Sequence, residues 1–159
     1  TFTEPTLFYR TDPERSVIDP MIAHDDRGTP SDPDDDRWIM VIKDEMPPDQ
    51  GGKNLRLVTS ATGMQGPFQP VLGPPIVGAG TAIVDTMGEG PTLLRHNGAW
   101  WLYWDAPASP HAYCLATSPD LVTWTDRTAE LRMPIERMRH GTVVTVPRSV
   151  TRALDAEAP

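Results

Sequence analysis

The chain has 159 residues, with 14 basic against 22 acidic side chains and a net charge of −8. That balance disfavours binding to phosphate backbones or anionic lipid surfaces, which argues against nucleic acid and membrane as partners. No apolar run approaches the roughly 20 residues that cross a bilayer, and Cys114, the single cysteine, leaves no intrachain disulfide or multi-cysteine zinc site.

Strand-like runs are predicted at 17–22, 38–42, 54–60 and 68–71, short and rich in aliphatic and aromatic residues and separated by Pro, Gly and Asp. The acidic stretch Ser31-Asp32-Pro33-Asp34-Asp35-Asp36 reads as a solvated loop between the first two runs. Its carboxylates suit calcium, but their spacing does not follow the EF-hand loop. Lys43-Asp44-Glu45 ends the second run and reads as a surface ion-pair turn or a pocket rim, and 46–52 is a turn-rich insert.

After a Gly- and Pro-rich link at 73–88 the grammar repeats. Gly88-Glu89-Gly90-Pro91-Thr92 matches Ile18-Asp19-Pro20-Met21-Ile22, Trp100-Trp101-Leu102-Tyr103-Trp104 matches Trp38 to Ile42, and Leu115-Ala116-Thr117-Ser118 matches Leu57-Val58-Thr59-Ser60. The match treats Asp19 and Glu89 as equivalent positions, with turn glycines Gly28 and Gly98 nine residues beyond them. Asp105, following Trp104, reads as a strand-end cap. Fourth strands are expected near Phe68 and Trp124. Cys114 sits in strand-like surroundings and is expected to be a buried, inert thiol. Arg139-His140-Gly141-Thr142-Val143 reads as the opening of a third innermost strand, and no pattern emerges after Pro147.

Repetition of four-stranded units predicts an all-β protein built as a β-propeller. Two units and one further strand do not close a ring, so residues 1–147 are expected to be part of a larger propeller and 148–159 a tail or truncated continuation. Innermost strands line a propeller's channel, so Asp19, Glu89 and His140 are expected to converge there. The five tryptophans are expected to pack between blades.

On Val17-Ile18-Asp19-Pro20, Trp38 to Glu45, Leu57 to Ser60 with Gly66-Pro67-Phe68, Glu89-Gly90-Pro91, Asn97-Gly98, Trp100 to Tyr103, Thr117 to Asp126 and Arg139-His140-Gly141, the chain resembles the glycoside hydrolase family 43 five-bladed propellers. These are arabinofuranosidases and xylosidases. The resemblance spans residues 2 to 147 and implies inverting hydrolysis of terminal arabinofuranosyl or xylosyl linkages, with a carbohydrate as partner. It makes Glu89 the general acid and Asp19 the carboxylate that tunes it, and it places the general base before Thr1. Arg139 would clamp a sugar hydroxyl or balance the carboxylates. His140 would help hold a structural calcium in the channel, with no cofactor needed for the chemistry.

The chemistry is coherent by itself, because an inverting site separates acid and base by roughly 6.5–9.5 Å to admit water. A carboxylate beside the acid raises its pKa by repulsion, the part expected of Asp19. Two other readings fit the same residues: a retaining, fructan-acting five-bladed glycosidase and a sugar-binding propeller without turnover.

Overall fold

The structure is a computed structural model that describes residues 3–70, 74–78, 81, 83, 87–107, 112–132 and 139–157. It is predominantly β, with two antiparallel sheets. The first contains β1 (Val17–Asp25), β2 (Arg37–Asp44), β3 (Asn54–Ser60) and β4 (Gln69–Pro70) in sequential order, and β5 (Val77–Gly78) pairs with the other end of β3. The second contains β6 (Glu89–His96), β7 (Ala99–Ala106), β8 (Ala112–Ser118) and β9 (Thr125–Asp126), again in sequential order. The four expected strands of each repeat are present. Part of the link at 73–88 lies outside the described residues.

Alternation of side chains places the core. On β7, Trp100, Leu102, Trp104 and Ala106 point toward the first sheet and meet Ile39, Val41, Leu55 and Leu57 in one buried cluster. Met40 and Ile42 of β2 point the other way and pack with Val58 and Phe68, beneath Tyr9 of the N-terminal segment. β2 is therefore covered on both faces, which explains its nearly continuous apolar run. Trp100, Trp104 and Trp124 are buried in the intersheet cluster, while Trp38 and Trp101 are partly exposed on the far faces of their sheets.

Turn chemistry fixes the hairpins. β6 and β7 join through Asn97-Gly98, both with positive φ (50° and 78°), the two-residue geometry that matches strand twist. Arg27-Gly28 adopts the same left-handed pair (φ 52° and 82°), closed by Thr29 N–H to Asp26 O at 2.8 Å, so Gly28 is a turn glycine like Gly98, although here the turn opens a longer loop containing a 3-10 turn at Pro33–Asp35. Its carboxylates are tied locally: Asp36 meets the His24 ring at 2.8 Å, and Asp35 accepts from Thr29 at 2.8 Å.

Two expectations are corrected. Residues 139–147 belong to no strand ladder, so His140 opens no strand here. The patternless tail contains α1, Arg148–Glu157, whose Arg, Ala, Leu and Glu are good helix formers following Pro147.

Candidate functional site

The site grows from a backbone irregularity that occurs twice. In β1, Ile18 pairs with Lys43 and Met21 with Val41, so Asp19 and Pro20 together oppose one residue. In β6, Glu89 pairs with Asp105 and Thr92 with Tyr103, leaving Gly90 and Pro91 in the same arrangement. Both are β-bulges whose first residue is left-handed, Asp19 at φ 53° and Gly90 at φ 51°, followed by a proline that has no N–H to leave unpaired. His140 repeats the left-handed conformation at φ 49°.

This register corrects the sequence alignment by one residue. Asp19 is equivalent to Gly90, and Glu89 to Ile18. By the same φ signature, Arg139 occupies the Glu89 position before His140. Asp19 and Glu89 are still brought together, but through the backbone: Asp19 Oδ2 accepts a hydrogen bond from Gly90 N–H at 3.0 Å, tying the two bulges across the sheets.

Glu89 is held from both sides. Lys43 donates to its Oε1 at 2.5 Å, and Arg139 donates to its Oε2. Arg139 also donates through Nε to Asp105 Oδ2 at 2.7 Å. Lys43 and Asp105 occupy the same place in their repeats, the fifth residue after Trp38 and Trp100, so the two contacts are equivalent with the charges exchanged. In each case a side chain near the end of the second strand of a sheet reaches the residue that precedes a left-handed position, Gly90 or His140.

The Lys43-Asp44-Glu45 turn is not a surface feature. Lys43 is only 2% exposed and Asp44 is fully buried. Asp44 receives Arg15 through Nε at 2.7 Å and Nη2 at 2.6 Å, with Arg56 Nε at 3.2 Å, which anchors the N-terminal segment. Lys43 also lies 2.9 Å from Glu45 Oε1, though out of line for a hydrogen bond, and Lys53 meets the other Glu45 oxygen at 2.5 Å. Lys53, Glu45, Lys43, Glu89, Arg139 and Asp105 thus form a chain of alternating charge.

The electrostatics follow from these contacts. The hydrogen bond from Lys43, opposed by burial and reinforced by the charges of Lys43 and Arg139, holds the Glu89 carboxyl below its ordinary pKa. This is opposite to the elevation expected from a neighbouring Asp19. Burial pushes the Lys43 ammonium downward, but Glu89 and Glu45 outweigh it and its pKa is raised. The Tyr113 phenol is pushed up to about 12, chiefly by burial and then by Asp105, and stays protonated while donating to Gly141 O at 2.9 Å. Burial likewise raises the Cys114 thiol, as expected of an inert cysteine.

A groove of about 220 Å³ opens beside this network, lined by Asp19, Gly90, His140 and their neighbours. His140 Nε2 lies 3.6 Å from Asp105 Oδ1 and 4.0 Å from Glu89 Oε2. Glu89, Asp105 and His140 are close enough to share a metal ion, yet they do not suit calcium. The Arg139 guanidinium already bridges the two carboxylates, and one of the three donors is nitrogen where calcium takes about 6–8 oxygens.

Asp19, Glu89, Arg139 and His140, the residues singled out from the sequence, are thus gathered at one end of the strands. Lys43 and Asp105 were named in the sequence only as a turn and a cap. Lys43 shares the phase of the core residues Ile39 and Val41, and that was the available signal of its burial. No protein-family model matches the chain, and comparison with curated proteins also gives no match.

Proposed function

We propose that the chain carries the acid side of a carbohydrate-hydrolysing site of the family 43 type, directed at terminal arabinofuranosyl or xylosyl linkages. The observation that carries this reading is the hydrogen-bonded meeting of Glu89 with Arg139 and of Asp19 with the Gly90 backbone, beside a groove lined by Asp19, Gly90 and His140. The proposal takes the sheets as consecutive blades of a five-bladed propeller. Support comes from their identical strand order and the recurring left-handed residue at Asp19, Gly90 and His140.

In the proposed reaction Glu89 gives its proton to the glycosidic oxygen as the C–O bond breaks, and the leaving alcohol departs neutral. Water attacks the anomeric carbon from the opposite face and loses its proton to a base that this reading places outside the chain. Glu89 must therefore be protonated before each turnover. Substrate displacing Arg139 from Oε2 removes one of the two cations that favour the charged form. Asp19 fixes the Gly90 N–H, and with it the backbone from which Glu89 projects. Arg139, once displaced from Glu89, remains tethered to Asp105 and free to bind a sugar hydroxyl.

One observation favours a second reading. A carboxylate neutralised by Lys43 and Arg139 is a hydrogen-bond acceptor rather than a proton donor, which suits a sugar-binding site without turnover. Aryl α-L-arabinofuranoside and β-D-xyloside hydrolysis by the complete protein separates the two. Turnover abolished by Glu89→Gln supports the enzyme, whereas binding of the free sugars without turnover supports the binding site.

A further inference from the structure

The proposed reaction leaves Lys43 without a part, although it is the fully buried cation in contact with Glu89. We propose that Lys43 is a positioning residue that fixes Oε1 of Glu89 and so assigns Oε2 as the oxygen that works on the sugar, an inference that rests on the glycosidase reading above.

An ammonium donates hydrogen bonds and accepts none. With Nζ 2.5 Å from Oε1, a proton on Glu89 has to sit on Oε2. That oxygen lies on the exposed side of the carboxylate, against Arg139 and 4.0 Å from Nε2 of His140, which lines the groove. Arg139 also holds Oε2, but it is 45% exposed and keeps a second anchor on Asp105, so it can leave. Lys43 cannot leave as easily. It is 2% exposed, and Glu45, itself held by Lys53 at 2.5 Å, fixes it from behind. Among the described residues, the charged and titratable groups around Glu89 are Lys43 and Glu45 at the end of β2, Asp105 on β7, Arg139 and His140, with Asp19 one peptide away on β1.

The test compares two leaving groups in the complete protein. A methyl glycoside departs only with a proton, whereas a 4-nitrophenyl glycoside departs with little help. kcat and KM are measured for the wild type, Lys43→Met, Glu89→Gln and the double variant, each at its own optimum pH so that a change in charge is not read as a change in position. Lys43→Met is expected to lower kcat on the methyl glycoside by at least about tenfold, with a much smaller loss on the 4-nitrophenyl glycoside and KM within about twofold. In the Glu89→Gln background it should cost nothing further.

Equal losses on both substrates, or losses that multiply in the double variant, would overturn the proposal. Should Lys43→Met fail to fold, Glu45→Gln loosens the anchor without emptying the buried site. It should show the same leaving-group pattern at roughly threefold, and unchanged kinetics there would also overturn the proposal. If Glu89→Gln itself leaves methyl glycoside turnover intact, the glycosidase reading fails. If Glu89→Gln is inactive and Lys43→Met is normal, only the positioning role fails.

Discussion

Gly90 is constrained in two separate ways, by its backbone and by its surroundings. Its φ of +51° is unfavourable for a residue with a Cβ, and an added Cβ would lie 2.8 Å from His140 Cγ and 3.0 Å from Asp105 Oδ1. Gly98, at φ +78°, has nothing within 4 Å. Left-handed backbone costs roughly 1–2 kcal/mol for an ordinary L-residue, so Gly98→Ala should lose about that much. Gly90→Ala should lose more and displace His140. Equal losses in urea denaturation would mean that the close packing of His140 adds nothing.

Glu89 also links pH to stability. Its folded pKa is depressed, so the unfolded chain binds protons more readily and the folded state gains stability above the ordinary carboxylate value of about 4.5. That gain is lost as pH falls through the lower, folded value. The stability gap between wild type and Glu89→Gln should therefore be widest near neutrality and narrow below about 4.5. Melting curves across pH check this, and a gap independent of pH would show that the ion pairs with Lys43 and Arg139 contribute nothing to folding.

At the level of the strand, alternation on β7 separates packing from exposure. Leu102 is fully buried against the first sheet, whereas Trp101 stacks with Tyr103 on the far face. Leu102→Ala should cost about 2–5 kcal/mol and Trp101→Ala less than half as much, despite the larger side chain removed. Similar costs in denaturant titrations would mean that the far face of the second sheet is as closely packed as its inner face.

Strands were legible in the sequence because the period of two and the Asn97-Gly98 turn are local signals. The offset between repeats was less legible. Matching carboxylate to carboxylate aligns Asp19 with Glu89, whereas matching Pro20 to Pro91 gives the register of the bulges. A bulge adds a residue without altering the composition around it, so only ladder pairing reveals it. Asp19, Glu89, Arg139 and His140 stood out because their motifs are short and local. The partnership of Lys43 with Glu89 joins residues 46 apart on different sheets, and no local pattern encodes it. α1 was missed because one helix without a packed apolar face has only propensity to announce it.

At the scale of the molecule, both outer faces bear apolar side chains. Leu7 and Phe8 are exposed beside a groove formed with Ile18, Met40 and Ile42, and Trp101 and Tyr103 are half-buried on the far face of the second sheet. Such faces favour association. The 159-residue chain expressed alone should self-associate in sedimentation velocity, and a monomer with a sharp cooperative melt would contradict this.

On the proposed reading, Glu89 and Asp19 serve a sugar-cleaving site. Its most direct test is hydrolysis of aryl α-L-arabinofuranoside and β-D-xyloside by the complete protein, with Glu89→Gln and Asp19→Asn beside the wild type. Turnover by the wild type of one of these substrates is predicted, with kcat/KM reduced by about a hundredfold or more in Glu89→Gln and clearly reduced in Asp19→Asn. A folded wild type that turns over neither substrate, or variants as active as the wild type, would contradict it.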